Sequence, residues 1–362
     1  MVTVSLCMIV KNEEEVLDRC LGSVADLVDE IVIVDTGSKD RTKEIAERYS
    51  ARIHDYEWID DFAAARNYSF SLATQEYILW LDADDRLLER DRELFRELKL
   101  TLDPAVDSVA MEYHLAFDSN GKTAAMARRN RLVRRACGFK WHNPIHEYLE
   151  VDGNVYLTHI AVTHDRRGDH SPRNLAIFRR MLEREGELTG RNVLYYANEL
   201  ADSKMYREAA ETYERFLEQP GQYYEDYVLA CSKLAECRHY LGDMEGKLRS
   251  LVRIMAYDLP RADHCCAIGY CYQDRGDVRK AIFWYELALT LELPVHHFGV
   301  VNLIAWTWLP HLQLCVCYGL LGDLERAYEH NEKALEFLPD DPNLLANRAK
   351  LTEALGLGGD SA

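Results

Sequence analysis

The chain has 362 residues, which is long for one hydrophobic core and predicts two or three domains. Its net charge of −18 is spread over both halves of the chain, which argues against nucleic-acid binding because that needs a basic face. The N-terminus shows no signal-peptide pattern, and no apolar run reaches the length of a membrane span. From this we expect a cytoplasmic protein without a membrane span.

The first half of the chain alternates strand and helix patterns. Apolar runs predict strands at residues 4–10, 30–35, 52–54 and 76–81. Helical spacing after the first strand predicts a helix with Asn12 as its N-cap, and a later helix is predicted from Phe62 to Ala73. Short links predict a parallel sheet, and the strict alternation of residues 108–118 adds a half-exposed antiparallel strand. The predicted fold class is therefore α/β, Rossmann-like, with a mixed but mostly parallel sheet.

Ligands of such sheets bind beyond the carboxyl ends of the strands, which draws attention to residues 10–13, 35–38 and 82–85. The last of these, Asp-Ala-Asp-Asp, follows an apolar strand directly. In an extended segment alternate residues share a face, so Asp82 and Asp84 can face one hard cation. The alternative is a solvated turn that caps the next helix.

One segment departs from the acidic background. Residues 119–146 contain no acidic side chain, but they carry basic ones at Arg128, Arg129, Arg131, Arg134, Arg135 and Lys140. This is the only local basic exception that the sequence offers. It does not change the expectation that the protein binds no nucleic acid.

Four motifs, in order and spacing, resemble the family 2 glycosyltransferases with the GT-A fold. They are Val4–Glu13, Asp35–Asp40, Phe62–Asn67 and Trp80–Asp84. Two later motifs, Trp141–Glu147 and Val162–His164, resemble one branch of that family. In that branch a helical-repeat region commonly follows the transferase, and some members glycosylate bacteriocin peptides. The resemblance implies a metal-dependent hexosyltransferase that uses a UDP-sugar.

The resemblance also implies roles in donor binding. Asp35 is expected to accept a hydrogen bond from N3–H of a uracil ring. The loop expected to flank that base consists of Val10, Lys11, Asn12 and Glu13. Arg66 is expected to face the nucleotide or diphosphate, with an ion pair to Asp60 or Asp61 as the structural alternative.

A metal site is implied in the same way. Asp82 and Ala83 are expected to bind the donor, with Asp82 near the ribose or the metal. Asp84 is expected to ligate Mg²⁺ or Mn²⁺ directly. His164 is expected to complete the set of metal ligands. A lone histidine is as often a structural group, and that alternative stays open.

Glu147 is the predicted general base, since an inverting transfer needs one group to take the acceptor's proton. His146 is its expected partner. Asp85 and Glu150 are competing candidates for the base, and a structural Glu147 is a further alternative. Trp141 is a candidate for stacking on the acceptor or sugar, although a core tryptophan fits the pattern equally well.

The residue pattern of the second half of the chain predicts helices. Gly-Asp pairs at Gly242, Gly276 and Gly322 are separated by 34 and then 46 residues, and 34 is the tetratricopeptide repeat length. We therefore predict three segments: a GT-A domain over residues 1–170, a linker helix over 171–191 and a tetratricopeptide-repeat domain over 192–362.

These observations predict an inverting glycosyltransferase whose repeats hold a peptide or protein acceptor. Stacked helix pairs form surfaces that bind extended peptides, but they can also brace the catalytic domain or form a homodimer. Three other functions were considered: an inactive repeat scaffold, a transferase acting on a glycan acceptor and a nucleotidyltransferase. A nucleotidyltransferase is disfavoured because the loop after the first strand is neither Gly-rich nor strongly basic.

Overall fold

The computed structural model describes residues 1–165, 171–294 and 297–357. The chain divides into two units. The first, here called the transferase unit, contains residues 1–118, 125–169 and 297–300. The second, here called the repeat unit, contains residues 119–124, 170–296 and 301–362. The predicted domain boundary at residue 170 lies outside the described residues.

The strands are β1 (Val4–Val10), β2 (Glu30–Asp35), β3 (Arg52–Asp55), β4 (Tyr77–Trp80), β5 (Asp85–Arg86), β6 (Ser108–Phe117), β7 (Thr123–Arg134), β8 (Lys140–His142), β9 (Tyr148–Glu150) and β10 (Val155–His164). The helices among them are α1 (Leu17–Val24), α2 (Thr42–Glu47), α3 (Phe62–Ser71) and α4 (Glu89–Thr101). The four strands predicted from apolar runs are all present, and none of their ends differs from the prediction by more than one residue.

The main sheet has the strand order β3-β2-β1-β4-β7-β6-β10-β5. Strands β1 to β4 are mutually parallel, whereas β7 runs antiparallel to β4 and β5 runs antiparallel to β10. Strand β6 pairs in parallel with β10, so the mixed character of the sheet comes from β7 and β5. The predicted fold class is confirmed. A separate hairpin, β8-β9, carries the Trp141 motif.

Both faces of the sheet are covered, which explains why its first strands are apolar throughout. On one face β1, β2 and β4 pack with α1, which buries Leu17, Cys20, Leu21 and Val24 at helical spacing. On the other face Cys7, Val32 and Ile78 form a second cluster with residues of α3. Because both faces of the sheet are covered, the ends of its strands are where a ligand can bind.

Asn12 is not the N-cap of α1, which is a correction to the sequence analysis. It adopts a left-handed conformation with φ of 57°, and helix α1 begins only at Leu17. Its side chain instead accepts a hydrogen bond from the Lys39 backbone N–H at 2.8 Å. Asp61 does cap α3, since its carboxylate accepts from the Ala64 N–H at 2.8 Å.

The repeat unit consists of helices. They are α5 (Ser171–Glu185), α6 (Arg191–Asp202), α7 (Tyr206–Leu217), α8 (Tyr224–Tyr240), α9 (Met244–Arg253), α10 (Ala262–Asp274), α11 (Val278–Thr290), α12 (Trp308–Leu320), α13 (Leu324–Phe337) and α14 (Pro342–Leu355). A two-residue strand, Val301–Asn302 (β11), lies in the segment between α11 and α12. Of the helices that the structure describes, none is both long and apolar enough to cross a bilayer.

The predicted Gly-Asp turns join the helices of three successive pairs. Gly242, Gly276 and Gly322 have φ of 76–78°, a left-handed conformation that glycine adopts without steric cost. The aspartates after the first and third glycines cap the next helix, as Asp243 and Asp323 accept from backbone N–H groups three residues on. In the divergent first pair, Lys204 takes the left-handed position with φ of 61°.

Candidate active site

The carboxyl ends of β1 and β2 lie side by side, with Val10 paired to Asp35 in the parallel register. The loops that follow are joined by two hydrogen bonds. Asn12 N–H donates to Ser38 Oγ at 2.9 Å, and Lys39 N–H donates to Asn12 Oδ1 at 2.8 Å. The structure therefore brings the predicted base-flanking loop next to Asp35.

Asp35 is buried, and its two carboxylate oxygens have different environments. Oδ1 accepts from the backbone N–H groups of Gly37 and Ser38, both at 2.9 Å. Oδ2 has no hydrogen-bond partner among the residues that the structure describes. A buried carboxylate oxygen without a hydrogen-bond partner costs free energy of folding. Asp35 Oδ2 is therefore a candidate acceptor for a hydrogen bond from a ligand.

The acidic segment after β4 is a tight turn rather than an extended chain. Asp82 N–H donates to Asp85 Oδ2 at 2.9 Å, and Asp85 N–H donates to the Asp82 carbonyl at 3.1 Å. Alternation of faces does not apply in a turn, so Asp82 and Asp84 do not share a face by that rule. Within the described residues, the cluster with metal-binding geometry is Asp84, Asp85 and His164, whose ligand atoms lie within 4.8 Å of one another.

Strand β10 brings His164 to this turn, because its pairing with β5 aligns His164 with Asp85. His164 Nδ1 lies 3.6 Å from Asp84 Oδ1 and 3.4 Å from Asp85 Oδ1. Two carboxylates and one imidazole suit a divalent cation such as Mn²⁺, or Mg²⁺ if oxygen ligands dominate. The donor set therefore fits the metal that the family resemblance implies.

The protonation of these groups follows from burial and crowding. Burial, together with the charges of Asp82 and Asp85, raises the pKa of Asp84 to about 6. Burial alone would lower the pKa of His164, but its hydrogen bond to Asp85 and the charge of Asp84 outweigh that and raise it. Without a cation, the carboxylates repel one another and attract a proton to the site.

Arg66 joins two acidic residues that are distant in sequence. Its Nη2 donates to Asp82 Oδ1 at 2.6 Å and its Nε donates to Glu147 Oε1 at 2.7 Å. The guanidinium also lies over the rings of Trp80 and Trp141, at 5.0 and 4.7 Å from their centroids. The sequence analysis offered an ion pair with Asp60 or Asp61 as the structural alternative for Arg66. Arg66 forms its ion pairs with Asp82 and Glu147 instead.

Glu147 lies just before β9, next to a residue with unusual backbone geometry. His146 has φ of 50°, a conformation that non-glycine residues adopt mainly in tight or functional turns. The Glu147 side chain is 14% exposed, so it is reachable but largely shielded from water. Of the competing bases, Asp85 is fully buried in an ion pair with Arg131, whereas Glu150 is 70% exposed.

Trp141 occupies the position of a core residue. It is 4% exposed, and its ring packs edge-on against Trp80 with centroids 4.8 Å apart. Arg66 covers it as well, so no ring face is open to a sugar in this structure. The sequence analysis allowed this alternative, and we do not assign Trp141 to acceptor binding.

Two residues of the site were missed by sequence reasoning. Arg131 pairs with Asp85 at 2.9 Å, and both side chains are 0% exposed. Tyr113 Oη lies 2.8 Å from His164 Nδ1. The only signal for Arg131 was its place in the acid-free basic segment. Tyr113 lies within the alternating stretch of residues 108–118, and that pattern gives no sign of a role for its hydroxyl.

The fold and this site define a nucleotide-sugar transferase of the GT-A type. The Glycosyl transferase family 2 model matches residues 5–149. The chain belongs to the family 2 glycosyltransferases, and tetratricopeptide repeats follow its transferase domain.

The chain is similar to three known proteins. A TPR repeat-containing protein of Synechococcus elongatus is 31% identical over 94% of the chain and 76% of its own length. The SPbeta prophage-derived glycosyltransferase SunS of Bacillus subtilis is 32% identical over 40% of the chain, which matches only 34% of SunS. Among solved structures, the crystal structure of MamA protein aligns with a TM-score of 0.37 and 16% identity, covering 53% of the chain and 88% of MamA.

Proposed function

We propose that this protein transfers a sugar, with inversion, from a UDP-sugar to a peptide or protein acceptor, with the help of Mn²⁺ or Mg²⁺. The observation that carries the proposal is the meeting of Asp84, Asp85 and His164 at the strand ends. Arg66 connects this acidic segment to Glu147, since it bonds both Asp82 and Glu147. A cation at such a cluster neutralises charge that builds up on a departing diphosphate.

The carboxylate of Asp35 supports uracil as the base. Its Oδ1 is engaged by two backbone N–H groups, which leaves Oδ2 for one further donor. A uracil ring offers one N–H, at N3, between two carbonyl groups. Guanine offers two adjacent donors, at N1 and N2, and a carboxylate binds that edge best with both oxygens. One available oxygen therefore favours UDP over GDP.

Glu147 is assigned to the acceptor side of the reaction, and Arg66 links it to Asp82 on the donor side. The guanidinium donates to Glu147 Oε1 at 2.7 Å and to Asp82 Oδ1 at 2.6 Å, while the two tryptophan rings hold the guanidinium. In an inverting transfer, the acceptor atom bonds to the anomeric carbon as the bond to the diphosphate breaks. We assign the acceptor's proton to the other oxygen of Glu147, Oε2.

An aromatic strip on the repeat unit supports a peptide acceptor. It consists, in spatial order, of Tyr206, Tyr240, His239 and Tyr270, whose rings follow one another at centroid distances of 4.5, 5.7 and 6.0 Å. Tyr240 is 65% exposed and Tyr270 is 40% exposed. Contiguous exposed aromatic side chains are typical of surfaces that bind other proteins or peptides.

Ligand-dependent melting tests the donor assignment. UDP with Mn²⁺ is expected to raise the Tm, because a ligand that binds only the native state adds about 2.7 kcal/mol at one hundred times its Kd. GDP with Mn²⁺ should give a much smaller shift, and Asp35→Asn should weaken the UDP effect selectively. Stabilisation by GDP but not by UDP would remove the uracil assignment.

Steady-state kinetics test the acceptor assignment. Replacing Tyr240 and Tyr270 with alanine should raise the KM for a peptide acceptor about tenfold or more and leave hydrolysis of the UDP-sugar unchanged. Tyr223→Ala, an exposed tyrosine outside the aromatic strip, is the matched control. An unchanged acceptor KM in the double variant would reassign the strip to assembly or scaffolding.

A further inference from the structure

A fully buried arginine contacts the acidic turn of residues 82–85. Arg131 lies on β7, and its guanidinium packs over Trp80 and Tyr113, at 3.9 and 4.4 Å from the ring centroids. Its Nη1 lies 2.9 Å from Asp85 Oδ2, and both side chains are 0% exposed. Two aromatic faces and a carboxylate leave the planar guanidinium little rotational freedom.

Arg131 thereby sets the orientation of the Asp85 carboxylate. Oδ2 receives both the guanidinium and the Asp82 backbone N–H, the latter at 2.9 Å. With Oδ2 held on one side, Oδ1 faces His164 Nδ1 at 3.4 Å. The same carboxylate therefore closes the acidic turn with one oxygen and offers the other to the ligand cluster.

Tyr113 plays the corresponding part for His164. Its hydroxyl lies 2.8 Å from His164 Nδ1, and its ring is one of the two surfaces on which Arg131 packs. When Nδ1–H donates to this hydroxyl oxygen, the orientation and tautomer of the ring are fixed and Nε2 is the nitrogen left for a cation.

We infer that Arg131 and Tyr113 are positioning residues for the cation site, holding Asp85 and His164 so that Asp84 meets a preformed pair of ligands. This inference rests on the metal-dependent function proposed above. This role accounts for a charged side chain at a fully buried position, because a position needed only for packing is served better by an apolar side chain. Arg131 and Tyr113 touch the ligands and not the cation.

The chain supplies a matched control for each residue. Arg128 lies on the same strand, is also buried, and pairs with Glu112 and the Thr158 carbonyl. Tyr77 is buried on β4 and donates its hydroxyl to the Val106 carbonyl at 2.8 Å. The hydrogen bonds of both controls are made to residues outside the ligand cluster.

The test is a Mn²⁺ titration of the full chain, in which free Mn²⁺ is counted by electron paramagnetic resonance. Arg131→Lys keeps the charge but loses the planar stack, and Tyr113→Phe keeps the ring but loses the hydroxyl. Each is expected to raise the Kd for Mn²⁺ by about tenfold or more, the scale of losing a partner of a metal ligand. Arg128→Lys and Tyr77→Phe should stay within about twofold of wild type.

Turnover of the UDP-sugar gives a second measurement. In both positioning variants the concentration of Mn²⁺ that gives half-maximal rate should rise, and saturating Mn²⁺ should restore part of kcat. Wild-type affinity in either variant, or equal weakening in variants and controls, overturns the inference. If Arg131→Lys does not fold, Tyr113→Phe decides, because it removes a single oxygen atom. No Mn²⁺ binding by wild type would overturn the inference and the proposed metal chemistry together.

Discussion

The transferase unit buries charge, whereas the repeat unit keeps the ion pairs of its helix turns near the surface. Arg131 and Asp85 are both 0% exposed, and Arg66 is 8% exposed between two carboxylates. In the repeat unit, the pair Arg326 and Asp323 is 55% and 28% exposed. Buried pairs are costly to form but have one geometry, while exposed pairs contribute about 0–1 kcal/mol. Buried charge therefore has a fixed geometry at the candidate site of the first unit, whereas this helix-turn pair adds little to the stability of the second.

The repeat unit is held by close packing instead. Gly269 of α10 lies against Tyr285 of α11, so close that an added Cβ would come within 2.7 Å of the ring. Small residues that admit a neighbouring aromatic ring set the distance between helices. If the comparison is correct, removing a charge from the first unit costs activity but not folding, and adding a methyl group to the second costs folding but not chemistry.

The largest effect is expected for Glu147→Gln. Glutamine keeps the size of the side chain and can still accept from Arg66, but it cannot take a proton. Transfer to the acceptor should fall by about 10² to 10⁴, the usual contribution of a general base, while UDP-sugar binding stays normal. A pH–rate series on both proteins measures this.

Glu150→Gln is the control for that prediction, since Glu150 is an exposed carboxylate three residues away. Its transfer rate should match wild type. If the acceptor is a thiol, the loss in Glu147→Gln should shrink above about pH 8.5, where the thiolate forms without help. Near-normal transfer by Glu147→Gln at pH 6.5 would show that the base is another residue.

Asp84→Asn should follow in size. It keeps the shape of the turn and removes one charge from the ligand cluster, so turnover should fall by about a hundredfold. The circular dichroism spectrum should be unchanged. Asp26→Asn, at an exposed ion pair with Arg92 and Arg96, is the control. Full turnover by Asp84→Asn would eliminate the metal-assisted mechanism.

Two glycine replacements test the packing of the repeat unit. Gly269→Ala forces a methyl group against Tyr285 and should lower the free energy of unfolding by about 1–3 kcal/mol. The methyl group added by Gly319→Ala meets no heavy atom within 4 Å. This variant should raise the free energy of unfolding by about 0.5–1 kcal/mol. Urea unfolding measures both, and the UDP Kd should not change. Equal effects of the two variants would contradict the packing argument.

The smallest effect concerns a histidine pair. His311 Nδ1 and His330 Nδ1 lie 2.9 Å apart, and burial, with the charges of His330 and Lys333, lowers the pKa of His311 from 6.5 to about 4. Below pH 6.5 the unfolded chain gains a proton that the folded chain does not. Stability is therefore complete above pH 6.5 and falls as the pH drops toward 4, by roughly 1–2 kcal/mol after allowance for partial exposure.

Urea unfolding at pH 8.0, 6.5 and 5.0 measures this dependence, with Gly269→Ala identifying the transition of the repeat unit. His311→Asn should flatten it. A repeat unit whose wild-type stability does not change between pH 6.5 and 5.0 would show that the pair accepts a proton without cost.

Sequence reasoning worked where the pattern is local. The apolar runs predicted β1 to β4, and the spacing of Gly242 and Gly276 predicted the repeat turns. Asp84 and His164 were predicted as ligands from a resemblance, and the structure brings them together, although their role stays a prediction. Each of these signals lies within one motif or one strand end.

The errors concern contacts between distant segments. Asp85 was a competing candidate for the base, but Arg131, 46 residues later, holds it in a buried pair. The face-sharing argument for Asp82 assumed an extended chain, whereas the segment is a hydrogen-bonded turn. A pattern read along a single sequence does not reveal a pair that forms only when β7 lies beside β4 in the sheet.

The position of β10 in the sheet has a consequence for synthesis of the chain. Strand β10 lies between β6 and β5, and β5 has β10 as its neighbour in the sheet. A growing chain that has reached residue 150 already contains Asp84, Asp85, Arg66 and Glu147, but not the strand that delivers His164. Because domains fold as their residues emerge from the ribosome, the cluster of Asp84, Asp85 and His164 is the last part of the candidate site to form. Under the metal-assisted function proposed above, a nascent chain cannot offer a cation all three ligands until β10 has joined the sheet.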